Sequence, residues 1–161
     1  MVTHKLRSIK KGFTIIEVMI VMAIAGLILA VVLIAIPQLQ RSQRDNARQS
    51  VLSRLTSEFG AYAGNNDGKF PVTTETLEDF MERYITGKVD IKNPSSGADY
   101  EVIRANSATT DPTEAQILMY PGMACDGEGL SGSLSNSGTA REYALRLQLE
   151  RADVYYCVDN K

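Results

Sequence analysis

The sequence predicts an α+β protein in which a long kinked N-terminal helix, transmembrane in its lower half, packs against a small antiparallel sheet of about four strands. Three observations carry this. Residues 13–36, FTIIEVMIVMAIAGLILAVVLIAI, are an apolar run holding one charge, Glu17. Beyond Pro37, apolar residues recur three and four positions apart, the spacing of one helix face. After Pro94, several short stretches alternate apolar with polar residues, the period of half-buried strands.

The apolar run comes first because it constrains everything else. As a helix rising 1.5 Å per residue it reaches about 36 Å, enough for a hydrocarbon core of about 30 Å. Seventeen of its 24 residues are Phe, Ile, Leu, Val or Met. Left bare in water they would cost roughly 25 to 50 kcal/mol, at about 1.5 to 3 kcal/mol each. The segment is therefore expected to be buried at all times, in lipid or in protein. Residues 1–12 hold Lys5, Arg7, Lys10 and Lys11 and no acid, which favours keeping them on the cytoplasmic side. Arg41, Arg44, Arg48 and Arg54 follow the run with only Asp45 and Glu58 against them, so charge alone barely chooses a direction. An ordinary secretory signal fits less well, since its apolar region usually spans about 7 to 15 residues and ends in a small-residue cleavage site.

KKG followed by FTIIEVMIVMAIAG, residues 10–26, resembles the class III signal of type IV pilin and pseudopilin precursors. The resemblance implies cleavage between Gly12 and Phe13 by a prepilin peptidase and N-methylation of the new amino terminus at Phe13. Losing four positive charges with the leader would take the net charge from −2 to −6. The resemblance also gives Glu17 a role: its carboxylate would meet the Phe13 ammonium of a neighbouring subunit and set axial register during assembly. The residues alone leave another reading open, a carboxylate near the apolar boundary that reaches back to the headgroup layer. Pro37 cannot donate a helix hydrogen bond and is expected to kink or locally unwind the rod. Relatives usually carry their proline nearer the place of Ile34, so the resemblance does not fix where a stem of this kind melts on assembly. The expected organisation is a leader at 1–12, a stem helix at 13–64 that is transmembrane over 13–36, and a globular head at 65–161.

In the upper stem, Ala47, Val51, Leu55, Phe59 and Tyr62 or Ala63 mark a face that needs a partner, and Gly64-Asn65 is the expected stop. The four arginines read as a solvated face. Asn65-Asn66-Asp67-Gly68 is a turn. Thr73 or Thr74 is expected to cap a second helix that buries Leu77, Phe80, Met81, Tyr84 and Ile85. Strands are expected at about 100–104, 116–120, 143–149 and 154–158, and their succession suggests an antiparallel sheet over the helix face. Residues 127–138 contain eight Gly or Ser among twelve and read as an exposed flexible loop. Cys125 and Cys157 both lie in the part expected to be translocated, where disulfides persist. Pairing them would stabilise the head by roughly 3 to 4 kcal/mol in the chain-entropy model. Two separate buried thiols are the alternative.

Composition excludes much chemistry. From Asn65 onward nine Lys or Arg stand against sixteen Asp or Glu, an acidic head that argues against nonspecific nucleic-acid binding. The only histidine, His4, belongs to the leader, so the mature chain has no histidine for a nucleophile pair or a metal site. No phosphate-binding or dinucleotide glycine motif occurs, and Pro94 spoils the glycosylation pattern at Asn93. No catalytic residue, cofactor or metal is expected. Tyr62, Tyr84 and Tyr100 read as core rather than a conducting stack. The resemblance implies a structural subunit that begins as a single-pass membrane protein, head extracytoplasmic, and then forms a helical homo-oligomeric surface filament. Its partners would be the peptidase, an inner-membrane assembly platform with its ATPase, and lipid before assembly. Adhesion, twitching motility and DNA uptake are all roles of that family. A pseudopilin of a type II secretion or competence system is the alternative on the same architecture. From a different class, a monomeric bitopic binding protein would retain Met1 to Gly12.

Overall fold

A computed structural model describes residues 12–127, 129–130, 133–136, 141–151 and 153–161. The leader up to Lys11 and parts of the Gly/Ser-rich stretch lie outside them. Ile15–Asn65 is one α-helix, α1, assigned as helical throughout, Pro37 included. The chain divides into two compact units between Gln40 and Arg41. In the first, no residue from Gly12 to Gln40 is buried. In the second, α1 begins to bury a face at Arg48 and continues through Val51, Leu52, Leu55, Phe59, Tyr62 and Ala63. Val51, Leu55, Phe59, Tyr62 and Ala63 are buried as the spacing predicts; Ala47 is exposed, and Arg48 and Leu52 join the inner face. The helix ends at Asn65, within the expected Gly64-Asn65 stop. The N–H groups of Asn66 and Gly68 both donate to the Ala63 carbonyl, at 3.1 and 2.8 Å, and the left-handed residues are Asp67 and Gly68, with φ of 54° and 73°.

A short helix follows, α2 (Thr74–Phe80). Thr73 caps it: its hydroxyl accepts from Thr76 N–H at 3.2 Å, while Thr76 Oγ1 accepts from Thr73 N–H at 3.0 Å. The helix widens into a π turn, Met81–Ile85, closed by Thr86 N–H donating to Met81 O at 2.8 Å. Leu77, Phe80 and Ile85 are buried and Met81 and Tyr84 pack against them half-buried, as the spacing predicts.

Among the described residues six strands follow: β1 (Glu101–Arg104), β2 (Gln116–Pro121), β3 (Met123–Cys125), β4 (Leu134–Asn136), β5 (Tyr143–Gln148) and β6 (Tyr155–Asp159). The main sheet has the four expected strands, in the order β1-β2-β5-β6. It is mixed rather than wholly antiparallel, because β1 and β2 run parallel, Glu101 opposite Gln116 and Arg104 opposite Met119. Residues 105–115 form a connection long enough to cross back to the start of the next strand, where a tight hairpin would have forced the antiparallel pairing. The other two pairs, β2·β5 and β5·β6, are antiparallel. Part of the Gly/Ser-rich stretch is ordered as β4, which pairs with β3, so it is not simply a loop.

Both sheet faces are covered. On one, Ile117, Met119, Tyr143, Leu145 and Leu147 share a core with α1 and α2. Phe59 sits at its centre, with ring centroids 4.5 Å from Phe80 and 4.8 Å from Tyr143. Tyr62 and Tyr84 belong to the same aromatic group, at 5.4 Å from each other, and Tyr100 is buried beside it. On the other face, Leu118, Tyr120, Ala144 and Cys157 pack with Met123, Cys125 and Leu134 of the hairpin. There the alternation in β5 misleads, because Arg146 is buried. It pairs with Asp111 at 3.0 Å and lies over the Tyr155 ring, 4.5 Å from its centroid.

Two of the four stem arginines are structural rather than solvated. Arg48 is fully buried, donating from Nη1 to the Gln148 carbonyl at 3.0 Å and from Nη2 to Ser95 Oγ at 2.8 Å, with Glu150 Oε2 at 3.2 Å. Arg44 Nη2 donates to Glu150 Oε1 at 2.9 Å, and Asp45 Oδ1 accepts the Glu150 backbone N–H at 2.7 Å. One turn of α1 thereby grips the end of β5 and the turn after Asn93. Burial pushes the Glu150 carboxyl up, but hydrogen bonds from Arg44 and Ser95 and the charges of Arg48 and Arg44 outweigh it and hold it below the ordinary carboxylate range. Cys125 and Cys157 form a disulfide with Cα atoms 5.9 Å apart, which ties β3 to β6.

Three outcomes are expected of the full chain in detergent. A group with a depressed native pKa contributes stability above its unfolded value and loses it as pH falls through the native one. The head should therefore lose stability on acidification through and below the ordinary carboxylate range, and Glu150→Gln should flatten that acid limb; an unchanged limb contradicts the clamp. Arg48→Ala should lower unfolding free energy by about 3 kcal/mol. Replacing both cysteines by Ser should lower the urea midpoint by the equivalent of roughly 3 to 4 kcal/mol, and an unmoved midpoint would show that the bridge adds nothing.

Candidate processing and assembly site

The residues singled out in the first unit lie together at the start of α1. Gly12, Phe13 and Thr14 are outside the helix and exposed, Phe13 at 90 % of its surface. The Gly12–Phe13 bond thus lies in non-helical backbone, and a Cβ built on Gly12 would meet nothing within 4 Å among the described residues. That is the form in which a peptidase can lay a chain across its own active site.

Glu17 is placed by a device that its letters already spell. Thr14 is the residue before the helix and Glu17 its third residue, the S/T-x-x-E pattern of a capping box. The Thr14 backbone N–H donates to Glu17 Oε2 at 2.8 Å and the Thr14 hydroxyl donates to the same oxygen at 2.7 Å. Glu17 N–H lies 3.4 Å from Thr14 Oγ1 in return. A negative charge at this end also complements the helix dipole. Glu17 therefore has a local structural task besides the assembly role that the resemblance implies, and the reading of it as a bare intramembrane charge missed that. These bonds engage one carboxylate oxygen, Oε2.

From Ile15 to Leu39 the large apolar side chains of α1 face outward, Ile15 at 81 %, Leu33 at 73 % and Leu39 at 60 % exposure. The helix is long and apolar enough to cross a membrane. The remaining predicted positions lie apart from this end: Pro37 within α1, and Cys125 and Cys157 bonded to each other in the head. Among the described residues no group of three or more His, Cys, Asp or Glu is arranged to hold a metal ion.

Residues 7–33 match the family model described as the prokaryotic N-terminal methylation motif. No curated protein and no solved structure matches the chain. The chain thus carries the class III signal typical of type IV pilins and pseudopilins, on an α+β architecture of one long N-terminal helix and a small sheet. The motif implies processing by a prepilin peptidase, and with the apolar helix it accords with a membrane-inserted precursor.

The capping box makes a local prediction. Thr14→Ala removes the two bonds made by its hydroxyl, keeps the backbone N–H bond to Glu17, and should cost about 1 kcal/mol at the helix start. Amide exchange of Ile16 and Glu17 in micelles should quicken about fivefold while that of the head stays the same; unchanged exchange would mean that the box does not hold the helix end.

Proposed function

We propose that the chain is a structural subunit of the pilin type. After cleavage between Gly12 and Phe13 and N-methylation of Phe13, residues 13–36 leave the lipid and pack against the same segment of other copies, forming a surface filament with the heads outward. The observation that carries this is the unburied apolar length of α1 in the first unit, together with a second unit that has its own core. A polymer replaces lipid around those side chains without exposing them to water. Glu17 supplies the registry by meeting the Phe13 ammonium of a neighbour, because a carboxylate taken into an apolar bundle requires a cationic partner. Pro37 is the site where the rod bends or opens on assembly. The assembly platform, its ATPase and the peptidase act on this chain; the subunit itself catalyses nothing.

A pseudopilin forming a short secretion or competence piston uses the same rod and the same registry. The disulfide-tied hairpin on the head favours the surface filament, since it hardens the part that faces the exterior. Electron microscopy of material sheared from cells should show filaments made of this chain; processed protein with no sheared filament would select the pseudopilin. Glu17→Ala should stay inserted in the membrane and reduce filament yield at least tenfold, and undiminished yield would refute the registry role.

A further inference from the structure

The main sheet has two edges, and they are finished differently. Along β6, Cys157 exchanges both backbone hydrogen bonds with Gly129, each at 3.1 Å, and Asp159 Oδ2 accepts the Cys125 N–H at 2.7 Å. The disulfide fixes the same segment, so that edge is closed. The opposite edge is β1. Its neighbours along the chain turn inward, Glu101 N–H to the Ala115 carbonyl at 3.0 Å and Ala105 N–H to that of Met119 at 2.8 Å. Strand alternation therefore turns the N–H and C=O groups of Val102 and Arg104 outward. β1 carries neither Pro nor Lys, two of the devices that blunt an edge.

Beside this edge runs a groove of about 460 Å³ between β1 and the helical segment formed by α2 and the π turn. Leu77, Met81 and Val102 give it an apolar lining, and Glu78, Glu82 and Glu101 give it negative charge. Arg104, the cation in its wall, donates from Nε to the Val72 carbonyl at 2.8 Å. Among the ion pairs seen in the described residues, none involves Glu78, Glu82 or Glu101.

We propose that β1 is a docking edge for an extended basic peptide of another protein. The peptide backbone adds a fifth strand through Val102 and Arg104, its apolar side chains enter the groove, and its Lys or Arg side chains meet Glu78, Glu82 and Glu101. Main-chain bonds supply affinity, and the groove selects the alternating side chains. Charge also decides against the most obvious competitor. A second copy presenting its own β1 would bring the same three acids against each other, so edge-to-edge self-pairing is repelled and a basic strand is preferred. This inference is independent of the filament reading, because it concerns the head alone.

The test uses the full chain in detergent micelles and two capped heptapeptides, one alternating Lys with Val and the other Glu with Val. The basic peptide should bind at least tenfold tighter than the acidic one and should slow amide exchange at Val102 and Arg104. N-methylating alternate backbone nitrogens of the basic peptide should weaken it at least tenfold, and the triple variant Glu78→Lys/Glu82→Lys/Glu101→Lys should invert the preference between the two peptides. Equal affinity for the two peptides overturns the proposal. So does tight binding of the basic peptide that leaves exchange at Val102 and Arg104 unchanged, which would be diffuse adsorption to an acidic head.

Discussion

Water does not tolerate the first unit of this chain. Among the described residues, none between Phe13 and Leu39 is buried, and the second unit has a core of its own that begins at Arg48. The two halves of α1 therefore obey different solvents. The lower half has no polar face to offer water, and the upper half has one apolar stripe already spent on the sheet. In the filament subunit proposed above, that lower half exchanges one apolar surrounding for another.

The head is built so that the exchange leaves it intact. Arg44, Asp45 and Arg48 occupy one turn of α1 just beyond the apolar length and hold Glu150, Gln148 and Ser95. A fully buried guanidinium is costly unless its bonds are made, and here they are made to groups distant in sequence. The helix cannot slide or turn against the sheet without breaking them. The disulfide does the same at the far end, joining the hairpin that covers the second sheet face to the edge strand β6. The stem is thus attached to a head whose fold does not depend on what surrounds the rod below.

Much of this was legible in the letters, and the failures have physical causes. The apolar run needs only composition, and the strand at Tyr143–Gln148 needs only its period. The buried faces of α1 and α2 follow from spacing, although on α1 Ala47 is exposed and Arg48 and Leu52 widen the stripe. Strand direction is different, because it depends on where 105–115 returns, and no local pattern encodes that. Arg48 was read as solvated because a helical arginine usually is; its burial depends on partners about 100 positions away in the chain. Arg146 misled in the same way, since the outer sheet face is covered by a hairpin drawn from a stretch that composition marks as loop. Thr14 and Glu17 are the opposite case, as the capping pattern is present in sequence but was overshadowed by the question of what a charge does in a membrane.

The most direct measurement is the intact mass of the chain recovered from outside the cell. The expected result is a chain that begins at N-methylated Phe13, because cleavage after Gly12 creates the ammonium that a neighbour's Glu17 would meet. Protein recovered there with Met1 to Gly12 still attached would contradict it.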